Sequence, residues 1–452
     1  AGNYVVFWNK KALSVVPESL NMTPLGYFQM LADGKVFEKG DRGIAEKLSR
    51  RIGNKMHSIG SAEYAAIEGI VKTALEKATS SQFIGDPEAM FQAWLKLPAR
   101  GVGSSPLDLV AQYPLAIKRS ESLGHLIQHT PNWHQGERGM KLAEAISQSP
   151  SAGEFGRNGL ATFDFAKRAG GVQLLRNVLT TVSQYEGTEV LGSYVLRRPE
   201  WVALPAIPDL VSNFLAECSG MSAALAQMLP ETFNRPLWQN AQGERLLSLL
   251  CDKIIAAHDE QAASTLILYV LGGESWMSQP GTFRQIEQLL PLSPEGVAVH
   301  VLRHDYWIRD PRSADLMSQI LDFISKNPDS RADKFTAKLW SDPEWLNSPR
   351  GVELLEKHIR VAGDQTLDGL AFALRDYRYG LDSRIDGFLG KLMDRGMSED
   401  RMWSMLSVPG GSWDGRRQSA FFERRRLAAP PHSAKCPTAI QTILQSLRNV
   451  LR

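Results

Sequence analysis

Tryptophan recurs at nearly constant intervals along this chain of 452 residues. The most regular positions are Trp201, Trp238, Trp276, Trp307 and Trp345, separated by 37, 38, 31 and 38 residues. Trp133 precedes the first of them by 68 residues, about two intervals, and four of the six follow a Pro-x pair. A fixed period in this range is typical of stacked helical units, because one unit alone cannot bury its apolar face. The sequence therefore predicts a helical-repeat architecture.

Each unit has the pattern of a helix, a short turn with proline and tryptophan, and a second helix. Pro236 is expected to open a helix that contains Trp238, because proline is tolerated at the first helical position. Residues 364–405 have the composition of further units with a degenerate motif, and Trp403 falls near the expected place. We therefore predict an all-α fold built mainly from an α-solenoid of HEAT-like helical pairs.

The predicted domains are an N-terminal helical domain over 1–125, the solenoid over 126–405, and a basic irregular segment with a C-terminal capping helix over 406–452. Residues 4–16 have strand-like composition, but no partner strand is evident, so an extension is expected. Residues 408–437 contain Gly410, Gly411, Gly415 and a Pro430-Pro431 pair. Such residues interrupt regular structure, so this stretch is predicted to be irregular.

A local motif lies near residue 100. It consists of a glycine-aspartate turn, a segment ending in Trp-Leu, a proline, a glycine loop and Pro-x-Asp-Leu. Its residues are Gly85, Asp86, Ala89, Trp94, Leu95, Pro98, Gly103, Pro106, Asp108, Leu109, Leu123 and Gly124. The stretch 83–127 resembles the C-terminal domain of MbcA/ParS-type antitoxins. The resemblance implies dimerisation, toxin neutralisation and DNA binding through an upstream helix-turn-helix, although more than 300 residues follow the motif here.

Composition excludes several classes of protein. The net charge is +2, so no strongly charged partner is implied. Cys218, Cys251 and Cys436 are widely spaced, which predicts neither a disulfide framework nor a metal site and favours a reducing, cytoplasmic compartment. Secretion by a route without a signal peptide stays open. The apolar run from Leu266 to Leu271 is too short for a membrane span, and no membrane association is predicted.

No residue pattern identifies a reaction or a cofactor. The glycines between 101 and 105 lack the following Lys-Ser/Thr of a phosphate loop. The nearest acid–base candidates are His300 with His304-Asp305, Glu353 with His358, and Cys251 with His258. None has a known catalytic spacing, so no catalytic residue is assigned and an enzyme is not favoured.

One segment combines cations with aromatic residues. The candidate partner-binding residues are Arg416, Arg417, Phe421, Phe422, Arg424, Arg425 and Arg426. Arginine binds phosphates and phenylalanine stacks on bases, so the segment suits nucleic acid. An acidic protein surface is the other partner that these arginines suit.

The leading functional hypothesis is a non-enzymatic scaffold that binds another protein, because helical repeats present extended surfaces. The repeats also resemble the tryptophan-bearing helical repeats of bacterial type III effectors. That resemblance suggests a bacterial, host-targeted or conflict-system role. The alternative is a nucleic-acid-binding component of a phage-defence or toxin–antitoxin system. Basic residues along one face would favour nucleic acid, and an apolar face would favour a protein.

Overall fold

The structure is a computed structural model. It describes residues 3–8, 11–17, 23–32, 35–37, 59–78, 90, 93–94, 105–407 except 234, 329, 349, 380 and 381, and 413–428. The chain divides into two compact units, Ala1–Leu246 and Leu247–Arg452. The predicted domain boundaries near 125 and 405 do not coincide with this division and stay predictions.

The first unit begins with a small antiparallel sheet in the order β2-β1-β3. Its strands are β1 (Asn3–Trp8), β2 (Lys11–Pro17) and β3 (Lys35–Phe37). Asn3 pairs with Pro17 and Val6 pairs with Phe37. The expectation of an unpaired extension over residues 4–16 is therefore wrong, because this stretch itself supplies two strands, β1 and most of β2, that pair with each other.

Helices make up the rest of the regular structure described in the first unit. They are α1 (Pro24–Ala32), α2 (Ser61–Ala78), α3 (Pro106–Val110), α4 (Pro114–Arg119), α5 (Glu121–Gln128), α6 (Gly136–Ile146), α7 (Ala152–Glu154), α8 (Gly171–Thr181), α9 (Gln184–Glu189), α10 (Pro199–Val202), α11 (Ile207–Glu217) and α12 (Met221–Thr232). The second helix of a pair twice continues into a π-helical segment, Phe155–Leu160 after α7 and Val190–Val195 after α9.

The next helix is α13 (Ala241–Ala257). The helices that follow are α14 (Glu260–Leu266), α15 (Glu274–Met277), α16 (Thr282–Leu289), α17 (Pro294–His300), α18 (Asp305–Ile308), α19 (Arg312–Lys326), α20 (Arg331–Leu339), α21 (Glu344–Asn347), α22 (Gly351–Val361), α23 (Asp364–Leu374), α24 (Ser383–Asp394), α25 (Glu399–Leu406) and α26 (Gly415–Ala428). The π-helical segment Ile267–Leu271 follows α14. The fold is thus all-α, as predicted, with the small sheet as its β-structure among the described residues.

The recurring tryptophans lie in short helical connectors between the helical pairs. The five regular tryptophans are at most 1% exposed. Trp238 belongs to a separate 3-10 turn, Pro236–Trp238, and the long helix begins only at Ala241. Pro236 therefore begins the connector and not the long helix. The prediction that Pro236 opens a helix containing Trp238 is corrected accordingly.

Three of the connector tryptophans donate a hydrogen bond to an earlier helical pair. Trp201 donates its indole N–H to the carbonyl of Leu160 at 3.0 Å, and Trp238 donates to Leu196 at 3.0 Å. Trp307 donates to Gly272 at 3.3 Å. Each accepting carbonyl lies at the C-terminal end of the second helix of the preceding pair. Backbone carbonyls at a helix C-terminus have no hydrogen-bond partner within the helix. The rings therefore join neighbouring pairs within each unit.

A small residue lies six positions after several of these rings. Thr282 and Ser313 donate their hydroxyls to the carbonyls of Trp276 and Trp307 at 2.7 and 2.5 Å. A Cβ on Gly351 would lie 1.8 Å from the carbonyl oxygen of Trp345, so no side chain fits there. The small residue lets the start of the long helix pack directly on the connector.

Ion pairs repeat at the same interval in the second unit. The pairs are Arg350–Asp315 at 2.7 Å, Lys357–Asp322 at 2.8 Å, Lys391–Glu356 at 2.5 Å and Arg401–Asp368 at 2.6 Å. Their sequence separations are 35, 35, 35 and 33 residues, close to one repeat. Each pair therefore joins corresponding helices of successive helical pairs, although exposed ion pairs of this kind each contribute only about 0–1 kcal/mol.

Candidate functional site

A groove of about 740 Å³ crosses α17, α20 and α23, the second helices of three consecutive pairs. Its floor is apolar and includes Leu302, Ile308 and Trp345. Phe372 lines the groove with 52% of its surface exposed, an unusual position for a phenylalanine. A large apolar side chain left open beside a groove is typical of a binding surface.

Small residues give the groove its shape. Ala298, Ala337 and Ala373 line it on three successive helices. A Cβ placed on Gly369 would lie 3.5 Å from the Cβ of Ala337, so α20 and α23 pack closely at this point. The larger rings of Phe335 and Phe372 belong to the same lining, so the groove is lined by both small and large residues of these helices.

The charged residues of the groove are mainly basic. Arg303, Lys334 and Lys338 are exposed and form no ion pair with any residue that the structure describes. The Lys338 ammonium lies 5.5 Å from the centre of the Phe335 ring. By contrast, Arg378 lies 3.6 Å from Asp342, so its charge is already opposed within the chain.

This chemistry suits binding better than catalysis. The lining contains no histidine or cysteine, and its carboxylate, Asp342, is ion-paired. An apolar groove with three available cations suits a chain segment that carries apolar side chains on one side and carboxylates on the other.

The histidines considered for acid–base chemistry do not form such a site. Burial, together with the neighbouring His304, lowers the pKa of His300. His304 is exposed and stacks on Tyr306 with 5.1 Å between ring centres. Neither histidine has a carboxylate hydrogen bond among the described residues, so the cluster lacks the positioned proton acceptor that acid–base chemistry needs.

The Cys251–His258 pair is separated by the end of a helix. Cys251 is fully buried in α13, and burial raises the pKa of its thiol to about 12. His258 lies beyond the helix with a φ of 51°. A buried, protonated thiol is a poor nucleophile, so the structure offers no cysteine dyad here.

His358 pairs with a carboxylate, but not with Glu353. It donates from Nε2 to Asp333 at 2.8 Å and accepts at Nδ1 from the indole of Trp340 at 2.8 Å. The side chains of His358 and Asp333 are 0% and 1% exposed, so substrate has no access to them. The cluster has a structural role that joins α20 to α22.

The basic segment is helical where the structure describes it. Residues 415–428 form α26, which contradicts the predicted irregular chain over this stretch. Phe421 and Phe422 are buried. Ion pairs join Arg417 and Arg424 to Asp386, Arg425 to Asp394, and Arg426 to Glu399. Partner binding through this segment stays a prediction.

Only parts of the antitoxin-like stretch lie within the described residues. Trp94 is fully buried, as expected for a core residue of a compact helical unit. A Cβ on Gly124 would lie 2.0 Å from the Ser151 hydroxyl, so α5 packs closely on the following turn. Residues 79–104 other than 90, 93 and 94, with them the first four residues of the Gly101–Pro106 loop, and the basic stretch 44–51 fall outside the described residues.

Comparisons with known proteins leave the family open. No family model matches the chain, and no curated protein matches it. A solved structure described as "Not1 C-terminal domain in complex with Not4" aligns over 94% of this chain and 98% of that chain, with 13% identity and a TM-score of 0.18. A TM-score this low supports no conclusion on function. No helix among the described residues is long and apolar enough to cross a membrane.

The sequence pattern did not reveal two aromatic residues of the connectors or one cluster of metal-binding side chains. Phe165 and Tyr379 occupy connectors at the intervals where tryptophan is missing. Trp403, expected in that role, is 41% exposed. The cluster contains His125 and His129. Their spacing of four residues places them on one helix face, and it was the sequence signal that could have revealed the cluster.

Proposed function

We propose that the chain is a non-enzymatic binding scaffold whose groove across α17, α20 and α23 takes an acidic, amphipathic segment of a partner protein. One observation carries this proposal. The groove combines an apolar floor with Arg303, Lys334 and Lys338, which lack acidic partners in the part of the chain that the structure describes.

The two halves of this chemistry act differently. Burial of the exposed Phe372 ring by apolar side chains of the partner would supply most of the affinity. The three cations would select carboxylates, hasten association and reject basic segments. A segment with carboxylates beside spaced aromatic or aliphatic residues satisfies both requirements.

The helical pairs support the scaffold role. Within each unit, connector rings and ion pairs repeat at one-pair intervals. We propose on this basis that the pairs are HEAT-like repeats. Such repeats hold a binding surface rigidly, because each pair is fixed by its neighbours in sequence.

Selection from a random peptide library tests this proposal on the full chain. The expected result is enrichment of peptides that are rich in Asp and Glu and carry spaced aromatic or aliphatic residues. Enrichment of basic peptides, or enrichment of apolar peptides without acidic residues, would contradict the proposal.

Charge reversal in the groove should weaken binding of a selected acidic peptide. The variant R303E/K334E/K338E places three carboxylates where cations lie now, so we expect the affinity measured by fluorescence anisotropy to fall at least about tenfold. The matched control R284E/K326E/R360E makes the same charge change at exposed positions on α16, α19 and α22, outside the groove lining. Equal losses of peptide affinity in both variants would show a general charge effect and would contradict the groove as the binding site.

Nucleic-acid binding is the alternative function, and it rests on α26. The Arg424 and Arg426 side chains are 65% and 72% exposed despite their ion pairs, so both can reach a phosphate backbone. Under this alternative, R424A/R425A/R426A weakens binding of duplex DNA and flattens its salt dependence, since fewer counterions are released. Unchanged affinity and slope across ~50–200 mM salt would exclude α26 as a DNA contact.

A bacterial conflict or effector role and a cytoplasmic location remain hypotheses from the sequence. The described cysteines, Cys218 and Cys251, are both unpaired, which is compatible with a reducing compartment. Identification of the partner by mass spectrometry, with and without nuclease, separates a protein-binding role from a nucleic-acid-binding role.

A further inference from the structure

A cluster of three metal-binding side chains lies in the first unit, outside the groove. His125 is in α5, His129 caps the end of the same helix, and Glu154 ends α7. The two histidines are one helical turn apart, with 4.2 Å between ring centres. One ligand atom from each of the three residues lies within 4.8 Å of the others.

We propose that His125, His129 and Glu154 form a surface site for a divalent transition metal, with Zn²⁺ as the ion that their chemistry fits. Two imidazoles and a carboxylate form a ligand set that zinc accepts, and they leave one position for water or a partner's side chain. Magnesium and calcium are disfavoured because they prefer an all-oxygen set.

Hydrogen bonds in the chain orient the ligands. The His129 Nδ1–H donates to the His125 carbonyl at 2.9 Å, which leaves the Nε2 lone pair available to a metal. His125 Nδ1 lies 2.8 Å from Glu154 Oε2, so the carboxylate already points at this imidazole. Ligand atoms around tetrahedral zinc lie about 3.3–3.5 Å apart, and the exposed histidines can make this small adjustment.

The backbone beneath the site is fixed by close packing. A Cβ at position 124, next to His125, would lie 2.0 Å from the Ser151 hydroxyl, so Gly124 lets this turn pack directly against α5. Ser149 and Ser151 are buried and hydrogen-bonded to each other at 2.8 Å, which holds the turn that leads into α7. The distance between α5 and Glu154 is therefore set by the fold.

The surrounding charges leave Glu154 available to a metal. The nearest cation along the chain, Arg157, lies 3.9 Å from Glu186 and 3.5 Å from Glu189. Among the described residues, the ionic partner of Glu154 is His125 itself. A bound cation would therefore be opposed by a carboxylate that no arginine neutralises.

Competition with a chromophoric zinc chelator tests the site on the full chain. We expect one Zn²⁺ to bind per chain, with at least about tenfold lower affinity for H125A/H129A and for E154Q. Zn²⁺ should also raise the thermal unfolding midpoint of the wild type, since a metal that binds only the folded state stabilises it. Mg²⁺ should do neither.

His304→Ala is the matched control, because it removes an exposed histidine far along the sequence from the cluster. It should keep the wild-type affinity for zinc. Equal zinc binding by the wild type and H125A/H129A would overturn the proposal, as would an equal loss in the control. Circular dichroism of each variant shows whether a loss of zinc affinity reflects unfolding. E154Q preserves the shape of the side chain, so it tests the role of the carboxylate even if H125A/H129A does not fold.

Discussion

Replacing Trp238 by alanine is expected to lower the free energy of unfolding by about 3–5 kcal/mol. The indole is completely buried and stacks on Phe233 with 5.1 Å between ring centres. Its N–H also satisfies the Leu196 carbonyl at the end of an earlier helix. The substitution therefore leaves a cavity and an unpaired carbonyl at the junction of two helical pairs. Urea denaturation followed by circular dichroism measures the change.

Two further substitutions separate the causes of this loss. Trp238→Phe retains an aromatic ring but removes the donor, so a smaller cost of about 1–3 kcal/mol is expected. Trp403→Ala is the control, because this tryptophan is 41% exposed and lies outside the connectors. If Trp238→Ala costs no more than Trp403→Ala, the connector rings do not hold the repeats together.

The second large effect is expected at the buried His358–Asp333 pair. Replacing His358 by alanine should cost about 3–5 kcal/mol, because a buried carboxylate loses a partner. Asp333 would retain the backbone N–H of Gly363, which donates to its other oxygen at 2.9 Å, and the Trp340 indole would lose its acceptor. Thermal unfolding of purified variants measures this loss.

The exposed His304 again supplies the control. His304→Ala should change stability by no more than about 0.5 kcal/mol, as is usual for surface sites. A small effect of His358→Ala, within the range of the control, would show that water or a rearranged side chain replaces the lost hydrogen bonds.

The sequence predicted the helical class and the burial of the regular tryptophans, because both follow from a period that is visible in one residue type. It missed Phe165 and Tyr379, because these two connectors carry a phenylalanine and a tyrosine and the period was visible only in tryptophan. The hydroxyl of Tyr379 donates to the Trp340 carbonyl, as the indoles of Trp201 and Trp238 donate to carbonyls at their own junctions. The small residue six positions after a ring was a second signal, visible at Thr282 and Ser313.

The candidate sites were harder to predict, because their residues come together only through the stacking of pairs. The groove joins positions from Ala298 to Arg378, which no local motif connects. Likewise, the arginines of α26 pair with Asp386 and Asp394, about one repeat earlier in the chain. Because the sequence does not show these ion pairs, composition alone predicted an exposed irregular segment.

Hydrogen-exchange mass spectrometry with a selected acidic peptide locates the peptide-binding site along the chain. With the full chain saturated by peptide, we expect slower exchange in 294–303, 331–342 and 364–374, the segments that carry most of the groove. The same segments should show no change in R303E/K334E/K338E at that peptide concentration. Protection confined instead to 415–428, or to the helices around 176–217, would contradict the assignment of the groove as the binding site.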